Sequence, residues 1–162
     1  MLEPKEKGLL DMPPRDPKTK LANRLFFERV GLVSLIMAGT GFLIYWEFGH
    51  HALSTSDIVL SQAQTAAFMS IIFVHLGYVV TARSIRTSAF SINPFSNRWL
   101  LAGIVVTVVA DLLIVYLPSL NTAFRTVPFP AQWWIFVILG LPAGFFLPEL
   151  EKLIRRKMER KR

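Results

Sequence analysis

His75 and Asp111 are the residues best placed to do chemistry, because each interrupts an otherwise uncharged apolar run. The runs are TAAFMSIIFVHLGYVVTA around His75 and WLLAGIVVTVVADLLIVYL around Asp111. An ionisable group inside a bilayer is costly, so its default reading is an ion or proton path with a partner to be named. His75 stands about ten residues into its helix and Asp111 about twelve into the next, roughly 15 and 18 Å at 1.5 Å per residue. The two helices run in opposite directions, so both groups lie near mid-membrane. Facing each other as imidazolium and carboxylate, they lower one another's burial cost. Facing apart, each bonds a separate hydroxyl or carbonyl, or borders a small wet cavity. Tyr78 and Thr81 follow His75 by three and six residues, on or beside its face, and can extend a polar track with Ser70 and Thr107. Alternatively these hydroxyls bond carbonyls of their own helices.

The elements that must hold these groups are apolar spans. The chain has 162 residues, 52% of them hydrophobic and only 18% charged, with a mean hydropathy of +0.44, which is too apolar for an ordinary soluble domain. Four runs, at about 30–48, 65–82, 99–117 and 130–147, are long enough to cross a hydrocarbon core of about 30 Å. The expected fold is all-α and integral to the membrane: four transmembrane helices with short loops between 30 and 148. A Pro-rich basic arm precedes them over 1–29, and a basic tail follows over 149–162. Pro4, Pro13, Pro14 and Pro17 preclude a continuous helix in the arm, and nothing in it reads as a secretory signal.

Gly31, Gly39 and Gly41 in the first span are expected to let a neighbouring helix approach closely. Ser56 or Asp57 is a candidate cap for a short helix leading into the second span. Glu47, His50 and His51 have metal-ligand chemistry, but neighbours in one loop rarely converge, so a solvated polar loop is the better reading. Pro142 should kink the fourth span. Leu150, Leu153 and Ile154 share a face, which suggests an amphipathic extension at the membrane surface.

Charge sets the expected orientation. Of the 18 Lys and Arg, seven precede the first span, three lie between the second and third, and seven follow the fourth, leaving Arg125 alone on the other side. This places both termini in the cytoplasm and makes the plasma (inner) membrane the expected location. The net charge of +7 sits outside the apolar runs, so it argues for the lipid bilayer as partner and against nucleic acid. The absence of cysteine removes disulfides and thiol chemistry. Arg83, Ser84 and Arg86 end the second span, where cations suit the helix dipole and an anionic leaflet. With Asn97 and Arg98 they form a cytoplasmic connector able to grip a neighbouring domain or a lipid headgroup.

At these connectors the chain resembles the C-terminal membrane region of P-type cation-transporting ATPases, in their calcium-pump-like branch. The matching pieces are MPPRDP from Met12, AQTAAF from Ala63, TARS from Thr81, FSNRWL from Phe95, YLPSLNTAFRTVPF from Tyr116, QWW from Gln132 and ELEKLIRR from Glu149. The resemblance implies that the four spans are the last four of a pump's ten helices. By register from TARS, His75 looks like the position where calcium pumps place an acidic or amide oxygen ligand. Tyr78 and Thr81 stand where related pumps often carry Asn. A neutral imidazole suits borderline transition metals and is a poor calcium ligand, so His75 is the one candidate metal residue and the transported cation is left open. The family's phosphorylation motif and nucleotide-binding domain do not occur in this sequence. The expectation is therefore a chain that binds no cofactor and hydrolyses no ATP on its own, but supports cation transport as a split subunit or fragment beside a pump's catalytic part. The alternative is a free-standing small membrane protein that binds or regulates a partner.

Overall fold

The computed structural model describes residues 24–50, 56–83, 88–91 and 97–159, and every element among them is helical. The Pro-rich arm up to residue 23, His51, Ser84, Arg86 and the last three basic residues lie outside the described residues. The helices are α1 (Arg24–Gly49), α2 (Asp57–Ala82), α3 (Arg98–Tyr116), α4 (Pro118–Phe124), α5 (Trp134–Ile138) and α6 (Gly140–Glu159), with single 3-10 turns at Ala89–Ser91 and Ala131–Trp133. Four helical stretches are long and apolar enough to cross a membrane: α1, α2, α3, and the α5–α6 unit over Ala131–Met158. In hydrocarbon every backbone polar group must be satisfied within its own segment, which is why these apolar runs form helices. At 26 to 28 residues, three of the four overrun the apolar runs. They are about 40 Å long, enough to include the headgroup layers.

α2 is the central element. Ten of its residues are buried, against two in α3. Its most extensive packing is with α1 and α6. The α2–α6 crossing is very close, because three glycines line it. A Cβ on Gly77 would collide with the Leu141 carbonyl, one on Gly144 with the Val74 carbonyl, and one on Gly140 would lie 2.8 Å from the Ser70 carbonyl oxygen. Gly140 and Gly144 are four apart on one face, the small-xxx-small spacing that brings membrane helices together. The glycines expected to do this in the first span behave differently. Gly41 packs on Ile71, but Gly31 and Gly39 face open space. A small residue permits an approach without requiring one, and only the facing helix decides.

Two other local features follow from backbone chemistry. Ser56 is the N-cap of α2 but makes no side-chain capping bond, and α2 itself begins at Asp57, so no separate short helix precedes the span. The fourth span is interrupted at Leu139, between α5 and α6. Pro142 lacks the N–H that would bond the Ile138 carbonyl, and the break falls at that point, as a kink at this proline predicts. Pro148 lies within α6, which runs on without interruption to Glu159, so the expected amphipathic extension is the end of the same helix.

Aromatic rings close one end of the bundle. Phe48 stacks on Trp133 with ring centroids 4.2 Å apart, and Trp134 Nε1 donates to the Tyr116 hydroxyl at 2.8 Å. The loop after α4 is tied down here as well. Val127 N–H donates to Thr65 Oγ1 at 3.0 Å, and Thr126 Oγ1 donates to the Ile114 carbonyl at 2.6 Å.

Candidate functional site

α2 carries His75 on its outward face. Gln64, Phe68 and His75 are exposed at spacings of four and seven residues, so they form one stripe along the helix, with Ile71 at its edge. α3 carries Asp111 inward, only 4% exposed, with its Oδ2 lacking a hydrogen-bond partner among the described residues. The pairing allowed by their common depth does not form, because one group points out of the bundle and the other into it. The facing-apart arrangement is the one adopted, with no bond from either side chain to a hydroxyl among the described residues.

The hydroxyls expected to form a track bond their own helices instead. Ser70 Oγ donates to the Ala67 carbonyl at 2.7 Å, Thr81 Oγ1 to the Tyr78 carbonyl at 3.1 Å, and Thr107 Oγ1 to the Gly103 carbonyl at 2.9 Å. Tyr78 is half-buried and Thr81 buried. His50 packs against the ring of Trp46 at 4.5 Å, and no group of three or more metal-ligating side chains occurs among the described residues.

Sequence reasoning missed a second polar assembly, at the end where α1 begins and α2 and α6 finish. Glu149 and Lys152 are each about 2% exposed and pair at 2.6 Å across one turn of α6. Lys152 Nζ also donates to the Thr81 carbonyl at 2.9 Å, which holds the last turn of α2. Glu149 Oε2 accepts from Ser88 Oγ at 2.7 Å and from the Ala89 N–H at 3.2 Å, which holds the connector. A buried pair is retained only when its remaining donors and acceptors are satisfied, and here both partners reach two further elements. Outside it, Arg155 bridges Glu28 at 2.7 Å and Glu151 at 2.6 Å, while Arg29 lies 3.7 Å from Glu151. The clamp therefore joins α1, α2, the connector and α6. The available signal was spacing: in ELEKLIRR, Glu149 and Lys152 are opposite charges three residues apart, placed to pair along the helix, and both are buried while Leu150, Leu153 and Ile154 are exposed.

Of the connector residues, Asn97 is the N-cap of α3 and is buried, its Oδ1 accepting from the Leu100 N–H at 3.1 Å. Arg98 opens α3 and is exposed, while Arg83 is half-buried at the end of α2.

A family model described as "Cation transporting ATPase, C-terminus" matches residues 1–154. A probable cation-transporting ATPase F of Mycobacterium tuberculosis is 35% identical over 134 residues, covering 82% of this chain and 14% of the relative. A calcium-transporting ATPase of Bacillus subtilis is 30% identical over 94% of this chain and 16% of its own length. Calcium-transporting ATPase type 2C member 2 of Rattus norvegicus is 29% identical over 96% of this chain and, again, 16% of its own length. The chain thus spans about one-seventh to one-sixth of the length of these relatives.

Proposed function

The chain belongs to the cation-transporting ATPase C-terminus family, and on that premise we propose that its four spans pack beside the helices that carry a pump's ion path. As a C-terminal membrane domain of P-type ATPases it is part of an enzyme class, and its helices suit an integral membrane protein. The observation that carries the proposal is the outward His75. An imidazole at mid-membrane is expensive against lipid, so the stripe of Gln64, Phe68, Ile71 and His75 is a surface for another helix. In this reading the catalytic part of the pump covers that stripe, and His75 stands at the margin of the ion path. Asp111, Tyr78 and Thr81 support the path from inside the bundle, and the clamp fixes the cytoplasmic connector, with Arg83 and Arg98 at its two ends.

Orientation and cargo complete the reading. Both termini face the cytoplasm of a plasma membrane, as the 17 basic residues on one side against Arg125 on the other favour. The domain alone hydrolyses no ATP. The Bacillus and rat relatives are calcium-transporting by name, yet imidazole nitrogen favours borderline metals over calcium. The cargo proposed for this pump is therefore a divalent transition metal. Uptake of zinc against calcium, in vesicles where the chain is paired with the rest of a pump, tests this, because imidazole suits zinc and not calcium. His75→Ala should weaken zinc transport by about ten-fold and leave the fold intact. Equal transport of both cations by wild type and variant would sink the cargo assignment.

A further inference from the structure

α1 and α6 leave a groove between them near the clamp. Its volume is about 390 Å³, and it is lined by Leu32, Ile36, Leu147, Leu150, Ile154 and Met158, together with Glu151 and Arg155. Leu147, Leu150, Ile154 and Met158 are 44 to 58% exposed. The groove extends over 12 residues of α6, from Leu147 to Met158, a rise of about 16 Å. That is half of a hydrocarbon core and too short to seat a whole transmembrane helix, but close to the length of an acyl chain. Its position also fits a lipid. The α5–α6 unit runs over Ala131–Met158, about 42 Å at 1.5 Å per residue against a hydrocarbon core of about 30 Å, so about one turn at its end, with Lys157, reaches the headgroup layer and Leu147, Leu150 and Ile154 lie below it.

Charge identifies the headgroup. Glu28 and Glu151 are both engaged by arginine, at 2.7 Å from Arg24, 2.7 Å from Arg155 and 2.6 Å from Arg155. Arg24 is nonetheless 93% exposed along its side chain, at the start of α1. Lys157, exposed in the last turn of α6, adds another cation beside Met158. Basic residues near an anionic leaflet attract its headgroups.

We propose that this groove is a binding site for one anionic phospholipid, whose acyl chain lies on Leu147, Leu150 and Ile154 and whose phosphate sits by Arg24 and Lys157. The groove's lining comes from α1 and α6, whereas His75 is carried by α2.

The test uses the full chain in nanodiscs of phosphatidylcholine with phosphatidylglycerol, followed by native mass spectrometry of retained lipid. Phosphatidylglycerol should be retained in preference to phosphatidylcholine. Lys157→Gln should reduce that preference by about five-fold, and Arg24→Gln by a similar factor. Ile154→Trp, which fills the groove, should abolish retention. Leu35→Trp, on an outward position 73% exposed and outside the groove, should leave retention unchanged and controls for folding. Equal retention of both lipids, or loss in Leu35→Trp as large as in Ile154→Trp, overturns the proposal. So does a crosslink from position 154 to the catalytic part of a pump, because a protein would then occupy the groove.

Discussion

Glu149 and Lys152 set the strongest constraint at the level of single residues. Each satisfies the other and also a second element, Thr81 for the lysine and the Ser88–Ala89 turn for the carboxylate. Lys152→Met should therefore cost about 3–5 kcal/mol in thermal unfolding in detergent, because it strands a buried carboxylate. The double variant E149L/K152M should recover most of that loss, since two apolar side chains of similar volume leave no unpaired charge. A double variant as unstable as the single one would show that the contacts to α2 and the connector, and not the charge balance, hold the corner. His75 differs: His75→Ala should change the unfolding midpoint by no more than about 0.5 kcal/mol equivalent, because its side chain bonds nothing among the described residues. His75 and Asp111 were visible in the sequence as lone ionisable groups in apolar runs. Their facing directions were not, because a depth along the helix says nothing about rotation around it.

The crossing of α2 and α6 is the feature on which the elements depend. Gly77, Gly140 and Gly144 bring the two backbones into contact, so Gly144→Ala must push the helices apart. The expected loss is about 1–3 kcal/mol from overpacking, read by the same unfolding assay. Gly39→Ala, facing open space, should be neutral. A larger loss in Gly39→Ala than in Gly144→Ala would contradict the crossing. The four spans were legible because apolar length alone marks a membrane helix. The break at Leu139 followed from Pro142 for a similar reason, since a missing N–H acts locally. The packing glycines were misjudged in the first span because a partner helix, which sequence does not place, decides whether a small residue is used. The clamp escaped notice for the opposite reason: charges after an apolar run look solvated until the connector folds back over them.

At the scale of the molecule, the aromatic end and the charged end give the bundle a polarity. Trp133, Trp134 and Tyr116 lie at one end, and Arg29, Lys152 and Arg155 at the other. These 162 residues contain no cysteine, so single cysteines report orientation in this chain without a background. A cysteine at Lys157 should react with a membrane-impermeant maleimide only from the cytoplasmic side, and one at Arg125 only from the opposite side. The reverse labelling would invert the topology. The central claim is that this domain completes a pump, covering its outward stripe with the helices that carry the ions. The most direct measurement is co-expression of the chain with a related pump truncated before its last four helices, followed by purification through a tag on this chain. The account predicts a recovered complex with cation-dependent ATPase activity, which Phe68→Arg on the stripe disrupts. A chain that purifies alone, with activity in neither part, would contradict it.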